Sequence, residues 1–107
     1  MKCKVRYSPT ALNDLDEIHD YIAGELSNPD AAFSLIERLL KAMDRLAMYP
    51  ESGAALSSIL RVPGDYRFIP VEQYLVFYRV QPEEVYIDRI LYGKRDYLRL
   101  LFDLDVR

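Results

Sequence analysis

The spacing of apolar residues changes period halfway along the chain, and the change marks out its elements. Residues 3–7, Cys-Lys-Val-Arg-Tyr, alternate apolar and basic, as a strand does with one face buried and one wet. Ser8-Pro9 predicts a helix start. A serine oxygen accepts from the free N–H groups of a first turn, and proline at the first helical position gives up an N–H that had no partner. Leu12, Leu15, Ile18, Ile22 and Leu26 then recur at helical spacing, with Asp14, Asp16, Glu17 and Asp20 mostly between them. Asn28-Pro29 repeats the cap-then-proline signal. It opens a second helix whose predicted stripe is Phe33, Ile36, Leu39, Leu40, Met43, Leu46 and Ala47. Pro50 and the Ser52-Gly53 pair end that helix near Tyr49. So short a separation between the two helices predicts an antiparallel helical hairpin.

Beyond the hairpin the period falls to that of strands. Residues 65–71, 74–80 and 85–91 are short, aromatic and β-branched, and turn-forming residues separate them, which predicts a three-stranded antiparallel meander. Tyr97, Leu98, Leu101 and Phe102 fall at helical spacing and predict a short C-terminal helix over residues 94–102. The expected fold class is α+β: a strand, a helical hairpin, then the meander and the final helix, as one domain over residues 1–107. A hairpin laid on one face of a small sheet buries both apolar surfaces in one core. The other sheet face is then expected to stay open, and function is sought there or at its rim.

Composition narrows the possible functions. The net charge is -3, a poor footprint for a general nucleic-acid binder, which normally carries a basic surplus. Acid dominates residues 1–60, whereas most of the arginines fall in the second half, so a local basic site is compatible with the sequence and a broad basic face is not. Cys3 stands alone, which excludes an internal disulfide and makes a reducing compartment the default. The N-terminus has no apolar run suited to a signal peptide, and no stretch approaches a membrane span; the expectation is a cytoplasmic protein.

Candidate chemistry is sparse. One His and one Cys form no ligand cluster, so neither a metal nor another cofactor is expected. His19 sits among acids and reads as a solvated residue; acid pairs such as Asp14 and Glu17 read as solvated charges. What remains is a set of basic and phenolic residues in and after the strands: Arg61, Arg67, Arg79, Arg89, Tyr92, Lys94, Arg95, Tyr97 and Arg99. Such a set suits a phosphodiester and the charge developing on it, or an acidic peptide laid across the sheet. Strand arginines that merely present a wet face, with tyrosines that pack, are the plain alternative.

The run from Tyr74 to Val80, followed by Val85 to Tyr97 with its segment Arg89-Ile-Leu-Tyr-Gly-Lys-Arg-Asp96, resembles the C-terminal half of RelE/ParE toxins. Ser8-Pro-Thr-Ala-Leu-Asn-Asp-Leu15 and Tyr49-Pro50 fit the front half, so the resemblance covers nearly the whole chain. It implies a RelE-like fold and the toxin of a type II toxin–antitoxin pair, of the plasmid-stabilisation kind, neutralised by a cognate antitoxin. RelE-like members cut mRNA on the ribosome with basic residues and no metal; ParE-like members inhibit growth by poisoning DNA gyrase. Of the RelE-like residues, the basic pair on the second strand falls at Arg67 and Ile69, and the third-strand arginine falls at Leu75. Lys94 and Arg95 are kept, and Tyr97 lies one helical turn before the position of the tail tyrosine.

The resemblance therefore implies catalytic roles for Arg67, Lys94, Arg95 and Tyr97 only if the chain is a ribonuclease. Arg61, Arg79, Arg89, Tyr92 and Arg99 are expected to bind the target or the antitoxin. Phe77-Tyr-Arg-Val80 looks like the ParE-like branch, and the acidic balance agrees with it. The first expectation is thus a gyrase-binding toxin; a ribosome-dependent endoribonuclease and a repurposed binding module are the alternatives. The antitoxin is expected to lay an acidic or amphipathic segment across the hairpin or the sheet edge.

Overall fold

In a computed structural model of the chain, which describes residues 3–58 and 65–93, a helical hairpin packs on a five-stranded sheet. The elements run β1 (Lys4–Tyr7), α1 (Pro9–Asp20), α2 (Pro29–Arg45), β2 (Ala54–Ala55), β3 (Tyr66–Val71), β4 (Tyr74–Gln81) and β5 (Glu84–Tyr92). A π-helical turn, Tyr21–Glu25, follows α1, and a short 3-10 turn, Leu56–Ser58, follows β2. The predicted C-terminal helix lies outside the described residues, as do Arg61, Lys94, Arg95, Tyr97 and Arg99.

Strand order is β1-β5-β4-β3-β2, with β1 parallel to β5 and the other pairs antiparallel. The meander falls where the pattern predicts it, with left-handed Glu72 and Glu83 closing its two turns. Pro70 is tolerated in β3 because β2 pairs only with Arg67 and Phe68, so the strand's outer edge beyond them needs no N–H at that position. Both helix caps form as the sequence predicts. Ser8 Oγ accepts from the Ala11 N–H at 2.9 Å, and Asn28 Oδ1 accepts from the Ala31 N–H at 3.2 Å.

The helices bury most of the predicted stripes, since Ile18, Leu39, Met43, Leu46 and Ala47 are in the core and Leu15, Ile22 and Ile36 pack against it, but the edges of the buried faces differ. Ala11, Asp14 and Ile18 are the buried residues of α1, and Ala32, Leu35, Leu39 and Met43 those of α2. Leu12, Leu26, Phe33 and Leu40 stay exposed. Ala11 and Ala32 are fully buried, beside the exposed Leu12 and Phe33. The main core joins these residues to Val76, Tyr78, Val85, Ile87 and Ile90 of the sheet.

The second face of the sheet is not bare. Leu56, Phe77 and Leu91 are buried there, with Tyr66, Phe68 and Leu75 packed against them, so a small second core replaces the expected open surface. Beyond it on that face Tyr66, Arg79, Tyr86 and Arg6 stand in one row across β3, β4, β5 and β1, each opposite the next in register.

Candidate functional site

β1 ends at Tyr7 opposite Ile87, which leaves the edge of β5 beyond that point without a neighbouring strand. The start of α1 replaces it. The Ser8 N–H donates to the Ile87 carbonyl and Ser8 Oγ donates to the Asp88 carbonyl at 2.7 Å. Asp14, one turn into the helix, then accepts from the Ile90 N–H at 3.0 Å and takes both arms of the Arg89 guanidinium at 2.9 and 3.0 Å. Asp14 is 5% exposed, and the fork is a bidentate, charge-assisted pair. The hydrogen bonds to Asp14 are the largest influence on Arg89 and, against burial, hold its guanidinium above the ordinary value. Asp14 is thus a partner of the sheet edge and not the solvated charge that its setting among acids suggests.

Arg79 is engaged on the opposite face. Burial lowers its affinity for a proton, but the hydrogen bonds and charge of Asp88, together with Tyr66 and Tyr86, outweigh that and hold it above its ordinary value. Asp88 lies two residues beyond Tyr86, the register partner of Arg79, and so on the same face, where it meets Arg79 at 3.0 and 3.1 Å. The Arg79 guanidinium also lies between the rings of Tyr66 and Tyr86, 5.6 and 5.4 Å from their centroids. Arg6 covers Tyr86 at 5.7 Å and pairs with Glu84 at 3.4 Å. The row therefore carries its own counter-ions.

Arg67 points to the helix side of β3. It donates to the Gly53 carbonyl at 2.8 Å and to the Glu51 carbonyl at 3.4 Å, tying down the loop after α2. The same loop is held by Tyr78, whose hydroxyl donates to the Pro50 carbonyl and accepts from the Gly53 N–H, both at 2.9 Å. Leu75, at the position of the RelE-like arginine, sits in the small apolar core beside Phe77 and Leu91. Arg67, Arg79 and Arg89 accordingly do not converge: one secures a loop, one is stacked on the far face, and one is clasped to α1.

Tyr92 belongs to a different feature. It meets Tyr74 edge-on, with centroids 5.7 Å apart, at the wall of a groove of about 620 Å³ between α1, the π-helical turn, the start of α2 and the β3–β4 turn. Burial, then the charges of Tyr92 and Tyr21, raise the Tyr74 phenol above its ordinary value. Ile18, Leu35 and Ile90 are the buried floor, while Glu17, Tyr21, Leu26, Arg38 and Glu72 are exposed around it. The π-helical turn shapes this wall. The Leu26 N–H reaches back to the Tyr21 carbonyl, five residues away, and the widened turn leaves Tyr21 and Leu26 at 48% and 58% exposure. Sequence periodicity placed Leu26 in the core and did not single out Tyr21 or Glu72, whereas Glu17, read as a solvated charge, is exposed. No group of His, Cys, Asp and Glu among the described residues is placed to hold a metal ion, and no helix there is long and apolar enough to cross a membrane.

A helical hairpin packed on a five-stranded sheet, with one parallel edge pair, defines a class of small α+β chains. Solved structures of that class match: a chain of the chromosomal ParDE system from P. aeruginosa, with a TM-score of 0.73 at 24% identity over 87% of this chain and 98% of that one. A chain of the RelBE2 toxin–antitoxin complex from Mycobacterium tuberculosis matches with a TM-score of 0.58 at 20% identity over 86% and 99%. In sequence, residues 5–97 match the model of the ParE toxin of the type II toxin–antitoxin system parDE, and the chain belongs to that family. Toxin RelE2 of Caulobacter vibrioides is 40% identical over 85 residues, 79% of this chain and 89% of that protein. Toxin Y4kP of Sinorhizobium fredii is 46% identical over 50 residues, a match that spans only half of that relative's length.

Proposed function

We propose that this toxin stops growth in the cytoplasm by binding a protein target, DNA gyrase, without catalysing a reaction, and that a cognate antitoxin neutralises it as a single-domain partner. The observation that carries the reading is the state of the described arginines. Arg67, Arg79 and Arg89 are each spent on a fixed internal partner on different sides of the sheet, and Leu75 replaces the third-strand cation. A nuclease needs charged donors aimed at one developing charge, and the loss of one such donor typically costs about 3–4 kcal/mol of barrier. The solved ParDE and RelBE2 systems support an antitoxin partner.

Inducing the gene in a bacterial host and pulse-labelling DNA and protein synthesis in parallel tests the target. DNA synthesis should fall first, and the purified toxin should inhibit supercoiling by gyrase. Untouched supercoiling at high toxin excess would remove gyrase as the target.

The 40% identity to a relative named RelE2 favours a second reading, a metal-independent endoribonuclease that cuts mRNA on the ribosome with Arg67, Lys94, Arg95 and Tyr97. In that case translation collapses first, and the Arg67→Ala/Arg95→Ala double variant loses cleavage. Undiminished cleavage by that variant would dismiss those assignments. Under the gyrase reading Arg61, Arg99 and Tyr92 remain candidates for partner contact.

A further inference from the structure

We infer that residues 94–107 of the same chain fold back into the groove beside the π-helical turn, with the apolar face of the helix predicted over residues 94–102 against its floor. The inference concerns the chain by itself and stands whichever target the toxin has. Three observations carry it.

The first is where the chain leaves the sheet. Tyr74 packs against the helix-side core, and strand alternation puts Tyr92 on the same side as the buried Ile90. Both tyrosines wall the groove, so β5 ends at its edge. The Gly93 N–H then donates to the Gln73 carbonyl at 2.8 Å, and Gln73 lines the groove as well. Residue 94 therefore starts at the groove and not across the molecule from it.

The second is the unfinished state of the groove. Its floor of Ile18, Leu35 and Ile90 is buried, yet Tyr21 and Leu26 stand exposed at its lip. A space of about 620 Å³ lies between floor and lip, enough for several apolar side chains.

The third is the composition of the segment. Seven of the fourteen residues from 94 to 107 are apolar or aromatic. Tyr97, Leu98, Leu101 and Phe102 fall on one face of a helix, with Asp96 and Arg99 on the other. Left in water, this stripe and the lip of the groove would each expose apolar surface that the other covers. Tethering favours the chain's own segment over that of a second copy, because a short linker holds it at an effective concentration of about millimolar. Docked in this way, residues 94–107 close the groove, and any partner that uses it must displace them.

Amide hydrogen exchange, read by mass spectrometry on the full chain purified by itself, tests the docking. The amides of residues 97–102 should exchange at least about tenfold more slowly than those of an unstructured chain, at every protein concentration. Tyr21→Ser/Leu26→Asp, both changes at exposed positions, should abolish that protection and leave the amides of β4 and β5 protected. Leu12→Asp alters an equally exposed leucine of α1 outside the groove and should leave the protection unchanged. Leu101→Asp should lower the melting temperature by about 4–8 °C, since it strands a buried apolar contact.

Unprotected exchange over residues 97–102 in the unmodified chain overturns the docking. So does protection that survives Tyr21→Ser/Leu26→Asp, because the segment is then covered elsewhere on the molecule. Protection that grows with protein concentration gives the groove to a second copy and overturns it too. An unchanged melting temperature in Leu101→Asp removes that residue's stripe from the floor and counts against the docking in the same way.

Discussion

Replacing Asp14 with alanine removes a single carboxylate but leaves two groups stranded. Its oxygens accept three hydrogen bonds, two from Arg89 and one from the Ile90 N–H, on a side chain that is 5% exposed. Removing one partner of a buried ion pair costs about 3–5 kcal/mol. Arg89 keeps 20% side-chain exposure and can recover some hydration, which moves its share to the low end of that range. The Ile90 N–H, at the edge of β5, adds about 1–3 kcal/mol if it stays unsatisfied. A combined loss of about 4 kcal/mol is a large part of the ~5–15 kcal/mol that holds a domain of this size together. Urea unfolding followed by circular dichroism reads it directly. With a slope of about 2 kcal/mol/M, the midpoint should drop by about 2 M with the slope unchanged. Asp14→Asn, which can still accept from the Ile90 N–H, should lose less. If Asp14→Ala moved the midpoint by less than about 0.5 M, then Asp14 would not be the clasp between α1 and β5, and the account of the uncovered β5 edge would be wrong.

Three further outcomes follow from the loop and the tyrosines. Tyr78→Phe deprives both the Pro50 carbonyl and the Gly53 N–H of their partner and should cost about 1–2 kcal/mol in the same unfolding assay. Gly53→Ala places a methyl 2.5 Å from the Tyr78 hydroxyl and 2.7 Å from the Phe68 carbonyl oxygen. Because one of those is backbone, the change should destabilise by about 1–3 kcal/mol, and wild-type thermal stability would contradict the close approach. Burial is the first cause that raises Tyr7, Tyr66, Tyr74 and Tyr78 above the ordinary value of 10.0, so the folded chain keeps these phenol protons longer than the unfolded chain. Their contribution to stability is whole below about pH 10 and is lost as pH rises through the raised folded values, so alkaline unfolding should coincide with a late tyrosinate absorbance step. Complete tyrosine ionisation near pH 10 with the fold intact would refute it.

The sequence by itself determined what is local. The Ser8 and Asn28 caps, the two helices, the three meander strands and their turns depend on spacing, capping chemistry and backbone restriction, all carried within a few residues. The family resemblance was legible for the same reason, since Tyr74–Val80 and Arg89–Asp96 are contiguous segments.

What only the tertiary structure decided is which partner each charged side chain found and where the buried face of each helix begins and ends. Asp14 and Arg89 stand 75 residues apart, and the clasp exists only because the parallel β1 stops at Tyr7 and leaves the rest of the β5 edge to α1. Arg79 finds Asp88 only once β4 and β5 pair in this register, and the bulge beyond Ile87 returns Ile90 to the helix-side core, an inserted position that nothing in the alternation of β5 marks. The groove likewise needs the π-helical turn, which shifts Tyr21 and Leu26 outward against a periodicity that would bury Leu26. A periodic pattern records how often side chains recur on a face. It does not record where that face ends, and packing made that choice here, with Ala11 and Ala32 buried and Leu12 and Phe33 exposed.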